Sequence, residues 1–324
     1  MSILSTIRLP IQVELDRFTT LFNDVLSSDN YLLEHTLSLV KEQHGKMMRP
    51  MLMLLLAKST HTVTPVTYHA AVAFELLHTA SLVHDDVVDF SDLRRGHPSL
   101  NSVFGNKVAV LTGDFLLATA LYHSSLTYDP RIVSILSQIG RDLSEGELWQ
   151  LATLSDSIVS EETYFHIIRK KTASLFSASA KAAVLSAGGT LEEAEKAYAF
   201  GDSIGVCFQI KDDIFDYYTS SDLGKPTGSD MLDRKLTLPI IHVLQKLNNP
   251  VYNDLAVRVL KGTSTKEDVT VLIALAKEQG GIAYANEVLN AYKEKACSYL
   301  EGIEDTALRD SLSLYLDFLM NRTK

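Results

Sequence analysis

Apolar residues recur three and four positions apart along almost the whole chain, the spacing that gathers them on one face of a helix. Val13, Phe18, Leu21, Phe22 and Val25 mark a first amphipathic helix that starts after Pro10. Pro50 stands where a second begins, in the first turn, where proline costs no hydrogen bond. A long helix is predicted from Val66 to Asp89, followed by a loop carrying Gly96 and Pro98. Further helices are predicted over 106–122, 131–151, 162–186, 191–218, 235–247, 266–278, 282–300 and 306–320. Gly188, Gly189 and Thr190 read as a helix stop and a new start, with Glu192 and Glu193 in the next first turn. Residues 220–230, with Gly224, Pro226 and Gly228, form the clearest long loop. Strand alternation, a linker and low-complexity sequence are all missing from the pattern, so the expectation is one all-α domain over residues 1–324.

Composition agrees with that picture and narrows the function. Hydrophobic residues make up 46% of the 324 positions and charged residues 22%, enough apolar surface for a sizeable core. Only 8 Pro and 16 Gly occur, few for a loop-rich β-sandwich. The net charge of −10 disfavours nucleic acid as a partner, because such binding needs a basic face. Cys207 and Cys297 lie far apart in apolar surroundings and read as reduced thiols of a cytoplasmic protein. The most apolar run, Met51 to Ala57, is too short to span a bilayer, and the N-terminal residues lack the pattern of a targeting segment.

Two short clusters stand out. His84-Asp85-Asp86-Val87-Val88-Asp89 and Lys211-Asp212-Asp213-Ile214-Phe215-Asp216 each place Asp-Asp-x-x-Asp near the end of an apolar helix, starting 127 residues apart. One such triplet is expected by chance about 0.06 times in a chain of this length. Residues three and four apart share a helix face, so each cluster is a carboxylate face. Its neighbours are Leu82, Val83, Val87 and Val88 in one case and Ile210, Ile214 and Phe215 in the other. Carboxylates beside core positions are costly unless a cation joins them. A single cluster is most simply a solvated acidic helix end; two on greasy helices point to metal. Oxygen ligands without His or Cys suit Mg²⁺ or Mn²⁺, which bind through a few carboxylates plus substrate phosphate. Two such clusters facing each other would hold a phosphorylated ligand through bridging ions. Basic residues follow both: Arg94 and Arg95 after the first, Lys225 and Lys235 after the second. Lys46 and Arg49 precede Pro50, and Lys170, Lys171 and Thr172 lie within another helix. Basic residues after both aspartate clusters of an acidic chain suit an anion clamp.

These blocks resemble the trans-isoprenyl diphosphate synthases, or polyprenyl synthases, over most of the chain from Gly45 to Pro239. The stretch from Glu75 to Asp89, continuing to Arg94-Arg95-Gly96, is similar to the first aspartate-rich motif of that family. Phe208 to Asp216 is similar to the second, and Leu223 to Asp230 and Lys235 to Pro239 resemble the stretches that follow it. The resemblance implies an isoprenoid-synthase helical bundle around a deep central cavity, assembled as a homodimer. It implies Mg²⁺ on Asp85, Asp86, Asp89, Asp212, Asp213 and Asp216. Arg94, Lys171, Thr172, Gln209, Lys225 and Lys235 would contact an allylic diphosphate, with Lys171 and Lys235 counted with the aspartates as catalytic. Lys46, Arg49, His78 and Arg95 would bind isopentenyl diphosphate; His78 alone would read as a core histidine. The implied reaction is prenyl transfer to a medium or long all-trans polyprenyl diphosphate, the leaving diphosphate taking the final proton. Phe74, Leu77, Ala80 and Ser81, lying before the first motif, would set product length. Two positions depart from the family pattern: Met47 stands where an arginine is frequent, beside a missing glycine at His44, and Arg234 where a glycine is frequent. The rival readings are a class I terpene cyclase and an inactive subunit of a heteromeric synthase. The retention of all six aspartates and a second basic set argues against both.

Overall fold

The computed structural model describes residues 2–43, 45–94, 96–154, 159–218 and 227–321. In chain order the helices are α1 (Ile3–Arg8), α2 (Gln12–Val25), α3 (Tyr31–Glu42), α4 (Met48–Thr60), α5 (Pro65–Val88), α6 (Leu100–Phe104), α7 (Asn106–Ser125), α8 (Pro130–Thr153), α9 (Glu161–Ile168) and α10 (Ser174–Ser186). They continue as α11 (Leu191–Phe215), α12 (Ser229–Leu232), α13 (Leu238–Leu247), α14 (Pro250–Lys261), α15 (Lys266–Glu278), α16 (Gly281–Leu300) and α17 (Thr306–Asn321). Among the described residues the only strands are two-residue pieces, β1 (Leu93–Arg94) and β2 (His97–Pro98), paired antiparallel after α5. Five of these helices, α1, α3, α6, α12 and α14, go beyond the apolar spacing set out above. A five-residue π turn, Arg169–Ala173, joins α9 to α10 inside what the sequence predicts as one regular helix. The 220–230 loop falls largely outside the described residues.

The chain forms two compact units. The first comprises Met1–Arg141, Leu175–Gly201 and Tyr299–Tyr315; the second comprises Asp142–Ser174, Asp202–Ser298 and Leu316–Lys324.

In the first unit, Pro50 to Ala57 of α4 are all buried, as a helix apolar on every side requires. Each fully buried leucine there contributes about 2 kcal/mol of hydrophobic stabilisation. On α2, Leu15, Phe18 and Phe22 turn one stripe into the core, the two rings stacked 5.6 Å apart. Helix α5 starts on Pro65 and packs along α7. The approach is close at Gly113, where a Cβ would lie 2.2 Å from Nε2 of His84. Nearer the other end of α5, Nδ1 of His69 lies 3.1 Å from Nδ1 of His123 on α7. Burial, and then the nearby His69, push His123 down to about 4. A histidine depressed in the folded state contributes stability above its unfolded value, near 6.5, and loses it as pH falls towards 4. We expect a loss of about 2 kcal/mol across that window, attributable to this pair. His123→Asn should flatten the pH dependence of thermal melting between pH 6.5 and 4.

In the second unit, α13 buries Leu238, Pro239, Ile240, Ile241, Val243 and Leu244. Helix α16 comes so near that a Cβ on Gly281 would lie 2.2 Å from the carbonyl of Pro239. Thr265 and Asp268 cap α15 reciprocally, Asp268 N–H donating to Thr265 Oγ1 at 3.2 Å and Thr265 N–H to Asp268 Oδ2 at 3.0 Å. Arg234 has a left-handed backbone, φ 65°. That conformation costs a non-glycine residue about 1 kcal/mol, which accounts for a glycine being favoured there. Here the side chain offsets the strain by donating from Nε to the carbonyl of Leu260 at 2.9 Å, closing the C-terminus of α14.

Candidate active site

The first aspartate cluster occupies the last turn of α5, in the first unit. Its three carboxylates have different surroundings. Asp86 is buried and accepts from Arg94 Nε at 2.9 Å on one oxygen and 3.2 Å on the other, with a further ion pair from Nη2. This is the two-pronged geometry for which a guanidinium suits a carboxylate. Arg94 is delivered by β1, and the hairpin is tied back by Asn101, whose Nδ2 donates to the carbonyls of Asp86 at 3.2 Å and Ser91 at 3.1 Å. Asp85 is half-buried and Asp89 exposed, four residues apart on one face. His78, Glu75, Asp86 and Arg94 line a small cavity of about 50 Å³ with Gln43 and Gly45. Lys46 is exposed in the loop before α4, its carbonyl accepting from Arg8 at 3.3 Å. Arg49, in the first turn of α4, lies over the ring of Phe176 at 4.9 Å. Met47 between them is buried and left-handed, φ 54°. Phe74, Leu77 and Ala80 are buried on α5, and Ser81 is half-buried with its hydroxyl donating to the carbonyl of His78 at 2.9 Å. Arg95 and Lys225 lie outside the described residues.

The second cluster occupies the last turn of α11, in the second unit. Asp213 is buried; Tyr164 of α9 donates its hydroxyl to Oδ2 at 2.5 Å and Gln209 donates from Nε2 to Oδ1 at 2.8 Å. Thr172, on the π turn, donates to the Gln209 carbonyl oxygen at 2.7 Å, which fixes the amide's orientation. Burial, then the charges of Asp230 and Asp212, raise the Asp213 carboxyl well above the usual range, while the bonds from Tyr164 and Gln209 act the other way. The same burial and the Asp213 charge raise Tyr164. Asp216 caps α12: its oxygens accept from the backbone N–H of Ser229 at 2.9 Å, the Ser229 hydroxyl at 2.7 Å and the N–H of Asp230 at 3.0 Å. A cavity of about 300 Å³ is lined by Asp212, Asp213, Asp230 and Asp233, by Lys171, Arg234 and Lys235, and by Thr172 and Gln209. Apolar walls come from Val159, Ile167, Ile168 and Leu236.

The structure thus brings Lys171, Thr172, Gln209, Asp212, Asp213 and Lys235 to one cavity, and His78, Asp86 and Arg94 to another. Asp216 is engaged in a helix cap, and Asp86 is engaged by Arg94. Among the described residues no three His, Cys, Asp or Glu side chains converge on one point. The donor set fits a divalent cation: four carboxylates share the larger cavity, and their mutual repulsion is what such an ion relieves.

The sequence profile of the polyprenyl synthetase family matches residues 30–276. The chain belongs to that family. It is a trans-polyprenyl diphosphate synthase, a prenyltransferase. A prenyl transferase of a Synechocystis species is 36% identical over 286 residues, 87% of each chain. Among solved structures, a geranylgeranyl pyrophosphate synthase from Bacteroides thetaiotaomicron is 44% identical with a TM-score of 0.86, covering 99% of this chain and 100% of its own. A decaprenyl diphosphate synthase from Rhodobacter capsulatus is 32% identical with a TM-score of 0.91, covering 99% of each. The fold is accordingly the all-α isoprenoid-synthase fold. Within this polyprenyl synthetase, Tyr164, Glu147, Gln150, Asp230 and Asp233 belong to the larger cavity or to its bonds, and sequence reading does not single them out. The signal for Asp230 and Asp233 is their spacing from Lys235, five and two residues before it, Asp230 in the short helix that Asp216 caps and Asp233 at its C-terminal end.

Proposed function

We propose that this chain condenses isopentenyl diphosphate with an allylic diphosphate, with Mg²⁺ as its metal and a medium or long all-trans polyprenyl diphosphate as product. The observation that carries the reading is the larger cavity, where carboxylates and ammonium groups stand together as a metal-bridged diphosphate requires. Asp85, Asp86, Asp89, Asp212, Asp213 and Asp216 would hold Mg²⁺, and Asp86 also anchors Arg94. Bound Mg²⁺ would neutralise the diphosphate as its bond to the allylic carbon breaks. Lys171 and Lys235 offer fixed positive charge to the same oxygens, and Thr172 and Gln209 complete the polar wall. Lys46, Arg49, His78, Arg95 and, on the allylic side, Arg94 and Lys225 keep the roles that the family resemblance gives them. Val159, Ile167, Ile168 and Leu236 keep water from the allylic cation, which the isopentenyl alkene then attacks. The proton lost at the end goes to the departing diphosphate.

Relatives named for a geranylgeranyl and for a decaprenyl product bracket the expected length. Small Ala80 and Ser81 support the longer end, with Phe74 and Leu77 as deeper steps of the ruler. A homodimer, a cytoplasmic location and action as one synthase domain over residues 1–324 belong to the same proposal. No described helix is long and apolar enough to cross a membrane.

The test is incubation of the purified chain alone with labelled isopentenyl diphosphate and allylic primers of several lengths, with Mg²⁺ or with a chelator. Labelled prenyl diphosphates should form only with metal, and Ser81→Phe should shorten them. No product from the chain alone would favour a subunit of a heteromeric enzyme; cyclic hydrocarbons would favour a terpene cyclase.

A further inference from the structure

Lys171 lines the larger cavity but does not stand there alone. Its Nζ is ion-paired with Glu147 and donates to Oε1 of Gln150 at 2.9 Å. Glu147 and Gln150 are three residues apart on one face of α8, so both reach the same ammonium group. The pairing is built into the backbone. Lys171 sits on the π turn, where the helix widens by one residue. Helix α8 meets that turn at Gly146, where a Cβ would lie 2.8 Å from Cβ of Lys170 and from Cγ of Lys171. The neighbouring Lys170 is claimed separately, by Asp142 and by Glu145 at 3.0 Å. Lys171 is therefore the ammonium group that Glu147 pairs with, and Gln150 Nε2 donates to the other Glu147 oxygen at 3.5 Å. By contrast, Arg234 and Lys235 in the same cavity form no ion pair among the described residues.

We infer that Glu147 is a positioning residue that acts as the internal counter-ion of Lys171 and competes with diphosphate for it. The inference rests on the reading of Lys171 as a contact of the allylic diphosphate. An anion entering the cavity must share or displace the Glu147 carboxylate, which weakens its hold. The chemistry gives that weakness a use. Each condensation breaks the allylic carbon–oxygen bond and leaves inorganic diphosphate at Lys171. The next round waits for its departure, and Glu147 takes back the ammonium group as it goes.

The experiment measures Mg²⁺–diphosphate binding by calorimetry, and steady-state kinetics with both substrates, in Glu147→Gln, Glu147→Asp, Gln150→Glu, Lys171→Gln and the Glu147→Gln/Lys171→Gln pair. Glu147→Gln keeps the shape and removes the charge. It should lower the Kd for diphosphate and the KM for the allylic substrate about fivefold, the worth of one half-buried ion pair. The KM for isopentenyl diphosphate should stay unchanged and kcat should not rise. Glu147→Asp should restore the parent values, and Gln150→Glu, which adds a second carboxylate beside Nζ, should weaken diphosphate binding. In the Lys171→Gln background, Glu147→Gln should have no effect. If Lys171→Gln weakens diphosphate but Glu147→Gln does not tighten it, the counter-ion role is wrong and the Lys171 reading stands. If Lys171→Gln leaves diphosphate binding intact, that reading fails and the inference with it.

Discussion

Asp212→Ala should lower kcat/KM by two to three orders of magnitude while leaving helical circular dichroism and the melting temperature at or above the parent values. The first half follows from its place. Removing one preorganised electrostatic partner of a departing anion costs on that scale. Asp212 lines the larger cavity on the half-buried side of the α11 terminus, where a cation bridging to diphosphate would be met. The second half follows from its neighbours. Asp212 adds to the repulsion that raises Asp213, so its removal relieves the metal-free protein. Asp213→Ala should behave differently, because it also strips Tyr164 and Gln209 of their acceptor in a buried place. Steady-state kinetics at saturating Mg²⁺ with thermal melting in its absence separates the two. Full turnover by Asp212→Ala would remove the second cluster from the chemistry.

Asp86→Ala should instead be a stability variant as well as an activity variant. Removing one partner of a buried charge pair costs 3–5 kcal/mol in favourable cases. Arg94 is 30% exposed on its side chain, so a loss of about 2 kcal/mol is expected here. Asp86→Asn, which retains one acceptor for the guanidinium, should lose roughly half of that. Chemical denaturation measures the difference. An Asp86→Ala variant as stable as the parent, yet inactive, would mean that Asp86 serves the ligand rather than Arg94.

Helix content was legible because apolar spacing and caps act locally, and the long α5, α7, α8, α11 and α16 leave plain periodic traces. Helix α3 left fainter ones. Its start rests on Asn30, whose side chain accepts from the N–H groups of Leu32 and Leu33, while its core face carries only Thr36, Leu37 and Val40. The apolar spacing sets no helix between 247 and 266, although Asn249 caps α14 and Pro250 opens it. In the site, the aspartate clusters were visible because carboxylates repeat in an apolar setting. Their occupations were not. Nothing near Asp86 in sequence says that a strand eight residues on returns Arg94 to it, nor does α9 announce that Tyr164 will meet Asp213. Arg234 shows the converse: a departure from the family pattern acquires a reason once its left-handed backbone and its bond to Leu260 are seen.

The widened turn at Arg169–Ala173 makes the chain's tolerance of insertions and deletions asymmetric. A regular helix advances about 100° per residue, so deleting one residue here would let the backbone close into ordinary turns and form a better helix. The same deletion would carry Lys171 about 100° around the axis, away from Gln150 and Glu147, and take Thr172 from Gln209. Selection for helical stability and selection for catalysis therefore pull in opposite directions over these five residues. Shortening them should yield a protein that melts later and works worse.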